Sequence, residues 1–153
     1  MTQEQLDFII NDPKTFLLRS GKLKARITAK RERIKEWQSL AEQITAPLRV
    51  DGGSSGSGYA QSTIENAVCN ITDLENEILE EIKTLISIEQ EIDAAINELV
   101  VDTRYKSILE MKYLNGYSWR KIGFKLYYSE DWVCRLHGAA LQAMKKKAKS
   151  VRV

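Results

Sequence analysis

Between residues 13 and 45, apolar side chains return every three or four positions: Leu17, Leu23, Ile27, Ile34, Trp37, Leu40, Ala41 and Ile44. That spacing predicts one long helix over 13–45. Arg19, Lys22, Lys24, Arg26, Lys30, Arg31, Arg33 and Lys35 fall between the apolar positions and make its outer faces basic. Asp12 supplies an N-cap and Pro13 fits the first helical position, where no backbone donor is needed; Pro47 is expected to end the helix. Upstream, Thr2 and Gln5 have the spacing of a capping box and open a short helix through about Ile10.

A different period governs the middle of the chain. Ile64, Ile71, Ile78, Leu85, Ile92 and Leu99 fall every seven residues. Val68, Ile82 and Ile96 occupy a second seam whose other positions hold Glu75 and Glu89, with Leu74 and Ile88 one residue earlier. Sustained heptads argue for coiled-coil packing, here in a helix over 62–101 opened by Ser62 or Thr63. Residues 50–61 are rich in Gly and Ser and read as a flexible linker, of engineered appearance.

The C-terminal third changes rhythm again. Asp102-Thr103 opens a helix to about Leu114, stopped by Asn115-Gly116. Ser118 caps a second helix through Leu126, Tyr127-Tyr128 makes a short turn, and Ser129 caps a third from Glu130 to Met144, ending in the basic run Lys145–Lys149. Helix, tight turn, helix is the pattern of a helix-turn-helix. The expected architecture is all-α: a long antiparallel helical hairpin followed by a three-helix helix-turn-helix domain. Its segments are 1–49, a linker at 50–61, an acidic heptad helix at 62–102 and the terminal domain at 103–149.

Charge explains why the two long helices should pair with each other. The net charge of +2 conceals a balance of +4 over residues 1–50, −11 over 51–103 and +9 over 104–153. The first long helix (14–49, +7) and the second (64–102, −10) oppose unlike charges when antiparallel, whereas two acidic helices side by side repel. Doubling of the hairpin would give a homodimer. The basic C-terminal third is the part suited to phosphate, and so to double-stranded DNA.

Composition excludes several chemistries. At 153 residues, 43% hydrophobic and 29% charged, the chain suits a small folded domain, and no apolar run approaches the roughly 18 residues that cross a bilayer. No membrane partner is expected. Cys69 and Cys134 cannot form a disulfide framework, and His137 is the single histidine, too few ligands for an ordinary zinc site. Met1–Gln5 carries no basic residue ahead of an apolar stretch, so a secretory leader is not expected and a cytoplasmic location is. No P-loop or nucleophile elbow is present, and no enzyme activity, cofactor or small-molecule substrate is expected. Glu77 with Glu81 has the spacing of a carboxylate metal site, but bundle sites also need inward Glu-x-x-His pairs, and a solvated acidic face is the simpler reading.

Ile108–Gly116, then Ser118-Trp-Arg-Lys-Ile-Gly123, then Tyr128-Ser-Glu-Asp-Trp-Val133 with Ala140-Leu141, resemble region four of bacterial primary sigma factors. Nearly the whole chain, including the Gly-rich linker and Asp73–Ile78, is similar to small prophage proteins of Gram-positive bacteria. These join a coiled coil to a sigma-like tail and are related to ArpU/RinA-type regulators of phage late genes. The linker varies similarly among them, which favours a natural origin. The resemblance implies a phage-encoded, DNA-binding transcriptional regulator in a bacterial cytoplasm, with host RNA polymerase as a further partner. It departs from the sigma pattern at Glu130 and Trp132, where those factors usually carry arginine, and at Tyr127, where many such turns carry glycine. The −35 preference is therefore not implied.

Carried onto this sequence, the third helix would enter the major groove with Glu130, Asp131, Trp132, Cys134 and Arg135 toward DNA. Val133, Leu136, Ala140 and Leu141 would face inward with Ile122 and Leu126. Arg135 suits guanine O6 and N7, and equally a phosphate. Glu130 and Asp131 can accept from cytosine N4 or simply stabilise the helix N-terminus. Ser118, Ser129, Arg120 and Lys121 suit the DNA backbone. Lys145 and Lys146 can grip phosphate or form a solvated, frayed end. Tyr113, Tyr117, Trp119 and Tyr128 are expected in the core rather than stacked on bases, and His137 at its polar rim. In the competing reading the acidic helix is the working end, mimicking DNA or capturing a basic host protein.

Overall fold

The computed structural model describes the backbone of residues 1–50 and 57–153 and the side chains outside 46–60. Among the described residues there are six α-helices and no strand: α1 (Gln3–Asn11), α2 (Pro13–Val50), α3 (Ser57–Leu99), α4 (Thr103–Leu109), α5 (Trp119–Leu126) and α6 (Glu130–Val151), with a single π turn (Glu110–Leu114) after α4. The all-α expectation holds. None of these helices is long and apolar enough to cross a membrane.

The caps of α1 and α2 follow the sequence, whereas Ser62 and Thr63, expected to open the second long helix, lie inside α3, which begins at Ser57. Thr2 Oγ1 accepts from Gln5 N, and Gln5 Oε1 accepts from Thr2 N at 3.1 Å, which completes the capping box of α1. Asp12 Oδ1 accepts from Thr15 N at 3.1 Å, and the paired Thr15 hydroxyl holds the Asp12 carboxyl below its ordinary range. Helix ends differ more. Helix α2 continues past Pro47 to Val50, because a proline removes one intrahelical hydrogen bond without forbidding another turn. Of the expected linker, 51–56 lies outside the described residues, while 57–61 already belongs to α3. The far end of α3 stops at Leu99, short of the expected 101.

The chain forms two compact units: Met1–Leu23 with Leu85–Val153, and Lys24–Thr84. In the second unit α2 and α3 run antiparallel, with Arg26 meeting Glu81 at 3.6 Å and Lys30 meeting Glu77 at 3.3 Å. Their buried rows are Ile27, Lys30 and Ile34 on α2, and Leu74 and Ile78 on α3. The second seam departs from the expected one at Val68 and Glu81, while Leu74 takes the place of Glu75 as expected. Val68 is 54% exposed, while Ala67, Leu74 and Glu81 turn inward. Glu81 is tolerated there because Lys30 also lies in the seam and hydrogen-bonds it, a bond that raises the lysine's pKa. Glu77 and Glu81 thus both engage Lys30, and no metal-ligand cluster occurs among the described residues.

In the other unit one core joins elements from both ends of the chain. Leu6 and Ile9 of α1, Phe16 and Leu17 of α2, and Ile92, Ile96 and Leu99 of α3 are buried with Leu109, Tyr113, Ala140, Met144 and Ala148. The segment expected as a separate domain over 103–149 therefore shares its core with α1 and the unit's portions of α2 and α3. Arg19 closes one edge, its guanidinium 4.3 Å from the Phe16 ring centre and 3.0 Å from Glu91. A second cluster, Ile108, Ile122, Val133 and Leu136, fastens α4, α5 and α6 together.

Candidate nucleic-acid interface

Two serines set the helices of the candidate site. Ser118 Oγ accepts from Lys121 N at 3.2 Å and opens α5; Ser129 Oγ accepts from Trp132 N at 3.2 Å and opens α6. Each satisfies a donor that the first helical turn leaves unpaired. Glu130 and Asp131 follow in the first turn of α6, where negative charge complements the helix dipole.

Between the helices the chain reverses at Tyr127, which lies in the left-handed region at φ 60° and ψ 39°. The Tyr127 and Tyr128 amides both donate to Gly123 O, the latter at 2.9 Å. This turn comes so close to α5 that a Cβ on Gly123 would lie 2.7 Å from Tyr128 O. Glycine is needed there for space. At Tyr127, where glycine would suit the backbone, the sequence instead carries an aromatic ring that is 94% exposed.

The inward side of this pair matches expectation: Ile122, Val133, Leu136 and Ala140 are buried, and Leu126 and Leu141 half-buried. Tyr113 is buried, and Tyr117, Trp119 and Tyr128 pack against the small cluster. The outward side holds Ser118, Arg120, Lys121, Ser129, Glu130, Asp131, Trp132, Cys134, Arg135 and Lys146, all exposed, whereas Lys145 is half-buried. Arg135, Ala139, Gln142 and Lys146 make one exposed row along α6, about 16 Å from end to end at helical rise. Lys121 is less free than its exposure suggests, since its ammonium sits 4.0 Å from the Tyr117 ring centre.

The family of the chain can be given against this geometry. A family model described as a protein of unknown function, DUF722, matches residues 2–146. This chain belongs to the DUF722 family. No curated protein and no solved structure matches it. The match runs through α5, the turn and the exposed first turns of α6.

Two expectations for this DUF722 chain need correction. His137 is not at a polar rim: it is buried, with Nε2 2.6 Å from the Tyr113 hydroxyl and its ring edge-on to Trp119. Burial pushes its pKa down to about 4 and that of Tyr113 up to about 12, so both are neutral near pH 7. Nor does α6 end at Met144. It continues to Val151 because Met144 and Ala148 are buried in the main core, and Arg152 then meets Asp7 of α1 at 3.0 Å.

Residue-by-residue reading missed Phe124, 83% exposed on α5, and the buried Ser20, whose hydroxyl donates to Tyr113 O at 2.9 Å. Phe124 could have been found from its offset of two from Ile122 and Leu126, which puts it on the opposite face of α5. Nothing local marks Ser20, whose partner is 93 residues away.

Proposed function

We propose that this chain binds double-stranded DNA through α5, the turn and α6, and acts as a transcriptional regulator encoded by a phage. The observation carrying the reading is the split of α6. Val133 and Leu136 anchor it, while Trp132, Cys134 and Arg135 of the same turns stand in solvent beside a serine-capped N-terminus. An anchored helix with a free, capped N-terminal end is what a major groove admits. Arg120, Lys121 and Lys146 supply cations for phosphate, and Arg135 the one arginine on the outer face of α6's first turns. The resemblance to sigma region four adds promoter DNA as the target and RNA polymerase as a neighbour on it.

The acidic-helix alternative is weakened by pairing within the chain, since Glu77 and Glu81 already hold Lys30 and Arg26. The test is to mix the full chain with sheared phage and bacterial DNA and sequence what is retained. Enrichment of one promoter region is expected. Uniform recovery abolished by modest salt would reduce the reading to phosphate binding, and no recovery at low salt would overturn it.

A further inference from the structure

Helix α3 carries a second apolar row besides the one it buries. In the unit formed by Lys24–Thr84, Val68, Thr72, Glu75, Leu79 and Ile82 follow the four-three alternation of one helix face. Val68 is 54% and Leu79 57% exposed, while Ile82 is half-buried. On α2 the exposed row Arg31, Lys35, Gln38 and Glu42 has the same spacing. The two rows share one side of the hairpin, because Gln38 and Glu42 form one wall of a groove whose other wall is Val68, Thr72 and Glu75. Arg31, Lys35 and Glu75 form no ion pair among the described residues. This face therefore sets an apolar strip edged with acid beside a strip that is basic at Arg31 and Lys35.

We infer that this face is the contact between two copies of the chain. A two-fold axis parallel to the hairpin lays α3 of one copy on α2 of the other and repeats the exchange on the far side. Leu79 and Val68 are then covered by the aliphatic stems of the partner's α2 row, and Glu75 comes to the height of Arg31 and Lys35. Stacking α3 on α3 instead would set Glu75 of one copy against Glu75 of the other, which like charge disfavours. The product is a four-helix bundle in which basic and acidic helices alternate. Its second copy is identified by charge: Arg31 and Lys35 of the α2 row complement Glu75 of the α3 row.

This inference does not depend on DNA binding, and its test contains no DNA. Sedimentation equilibrium of the full chain is expected to give twice the 17.5 kDa protomer mass. Leu79→Lys, and separately Val68→Lys, should weaken association about tenfold or more with helicity unchanged, since both side chains are exposed. A chain carrying Arg31→Glu with Lys35→Glu and another carrying Glu75→Lys should each associate poorly, while an equimolar mixture recovers dimer. A wild-type chain that stays monomeric at high concentration overturns the inference. So does a dimer indifferent to both lysine substitutions, or a mixture that fails to recover.

Discussion

Gly123 and the Tyr128 carbonyl approach closely at the α5–α6 turn: a methyl group on Gly123 would stand 2.7 Å from that oxygen. The neighbour is backbone, fixed by the hydrogen bond that the Tyr128 amide donates to Gly123 O, so it cannot swing aside as a flexible side chain would. Gly123→Ala should therefore cost about 2 kcal/mol or more in chemical denaturation, although alanine is the better helix former in isolation. An unchanged midpoint would show that the turn relaxes freely.

Tyr127 should respond in the opposite sense. Its φ of 60° is unfavourable for a tyrosine, and its exposed ring gains little packing in return. Asparagine tolerates this region better, so Tyr127→Asn is expected to raise stability by about 0.5–1 kcal/mol. A loss of stability would reveal a contact made by the ring. If that variant also bound DNA less well, the strained tyrosine would be serving the surface rather than the fold.

These neighbouring residues show how far the sequence could be read. Ser118, Ser129 and the alternation of Ile122, Val133 and Leu136 with charged residues were legible because capping and amphipathic spacing are local signals. The need for glycine at 123 was not, since it arises from an oxygen brought close by the turn. The same division explains Lys30. Its position fits the buried row of α2, but a lysine reads as surface until Glu81 is seen across the hairpin, displaced from the heptad expected through Val68 and Ile82. Met144 and Ala148 continue the α6 periodicity; what hid their burial was the lysine run around them.

Lys30 and Glu81 should behave as a unit. Removing either partner leaves the other charge in a seam otherwise lined by Ile27, Ile34, Leu74 and Ile78. Lys30→Met and Glu81→Met are each expected to destabilise the chain, with the double variant more stable than the sum of the single losses predicts. Since the pair raises the lysine's pKa, its contribution is complete below the unfolded lysine's pKa and fades as pH rises through the higher folded value. Urea melts of the four chains, repeated at high pH, measure both effects. Strict additivity would mean that the pair contributes nothing.

The Tyr113–His137 bond gives an acid-side prediction. Folded His137 has its pKa pushed down to about 4, whereas an unfolded histidine titrates near 6.5, so between these values the unfolded chain binds more protons. Stability should thus fall as pH drops from about 6.5 toward 4, by about 2 kcal/mol after allowing for solvent screening, and this component should level off below. His137→Leu should lack that component. It should also be less stable at neutral pH, because the Tyr113 hydroxyl loses its buried partner. A wild-type chain with the same acid limb as His137→Leu would show that the ring titrates normally.

Arg135 and Lys146 stand on one row of α6, about 16 Å apart, and their chemistry separates the two ways in which that helix can meet DNA. A guanidinium near the N-terminal end can grip a guanine edge with two parallel hydrogen bonds, while an ammonium three turns away suits a phosphate. Arg135→Ala should therefore lower affinity for the selected sequence by about 1–3 kcal/mol and leave binding to unrelated DNA much less affected. Lys146→Ala should weaken both to a similar extent and reduce the slope of log affinity against log salt by about one. Titrations of both variants at several salt concentrations distinguish these outcomes. If Arg135→Ala behaves as Lys146→Ala does, Arg135 is a phosphate contact, and sequence must be read by another residue on this face, with Trp132 and Cys134 the next to replace.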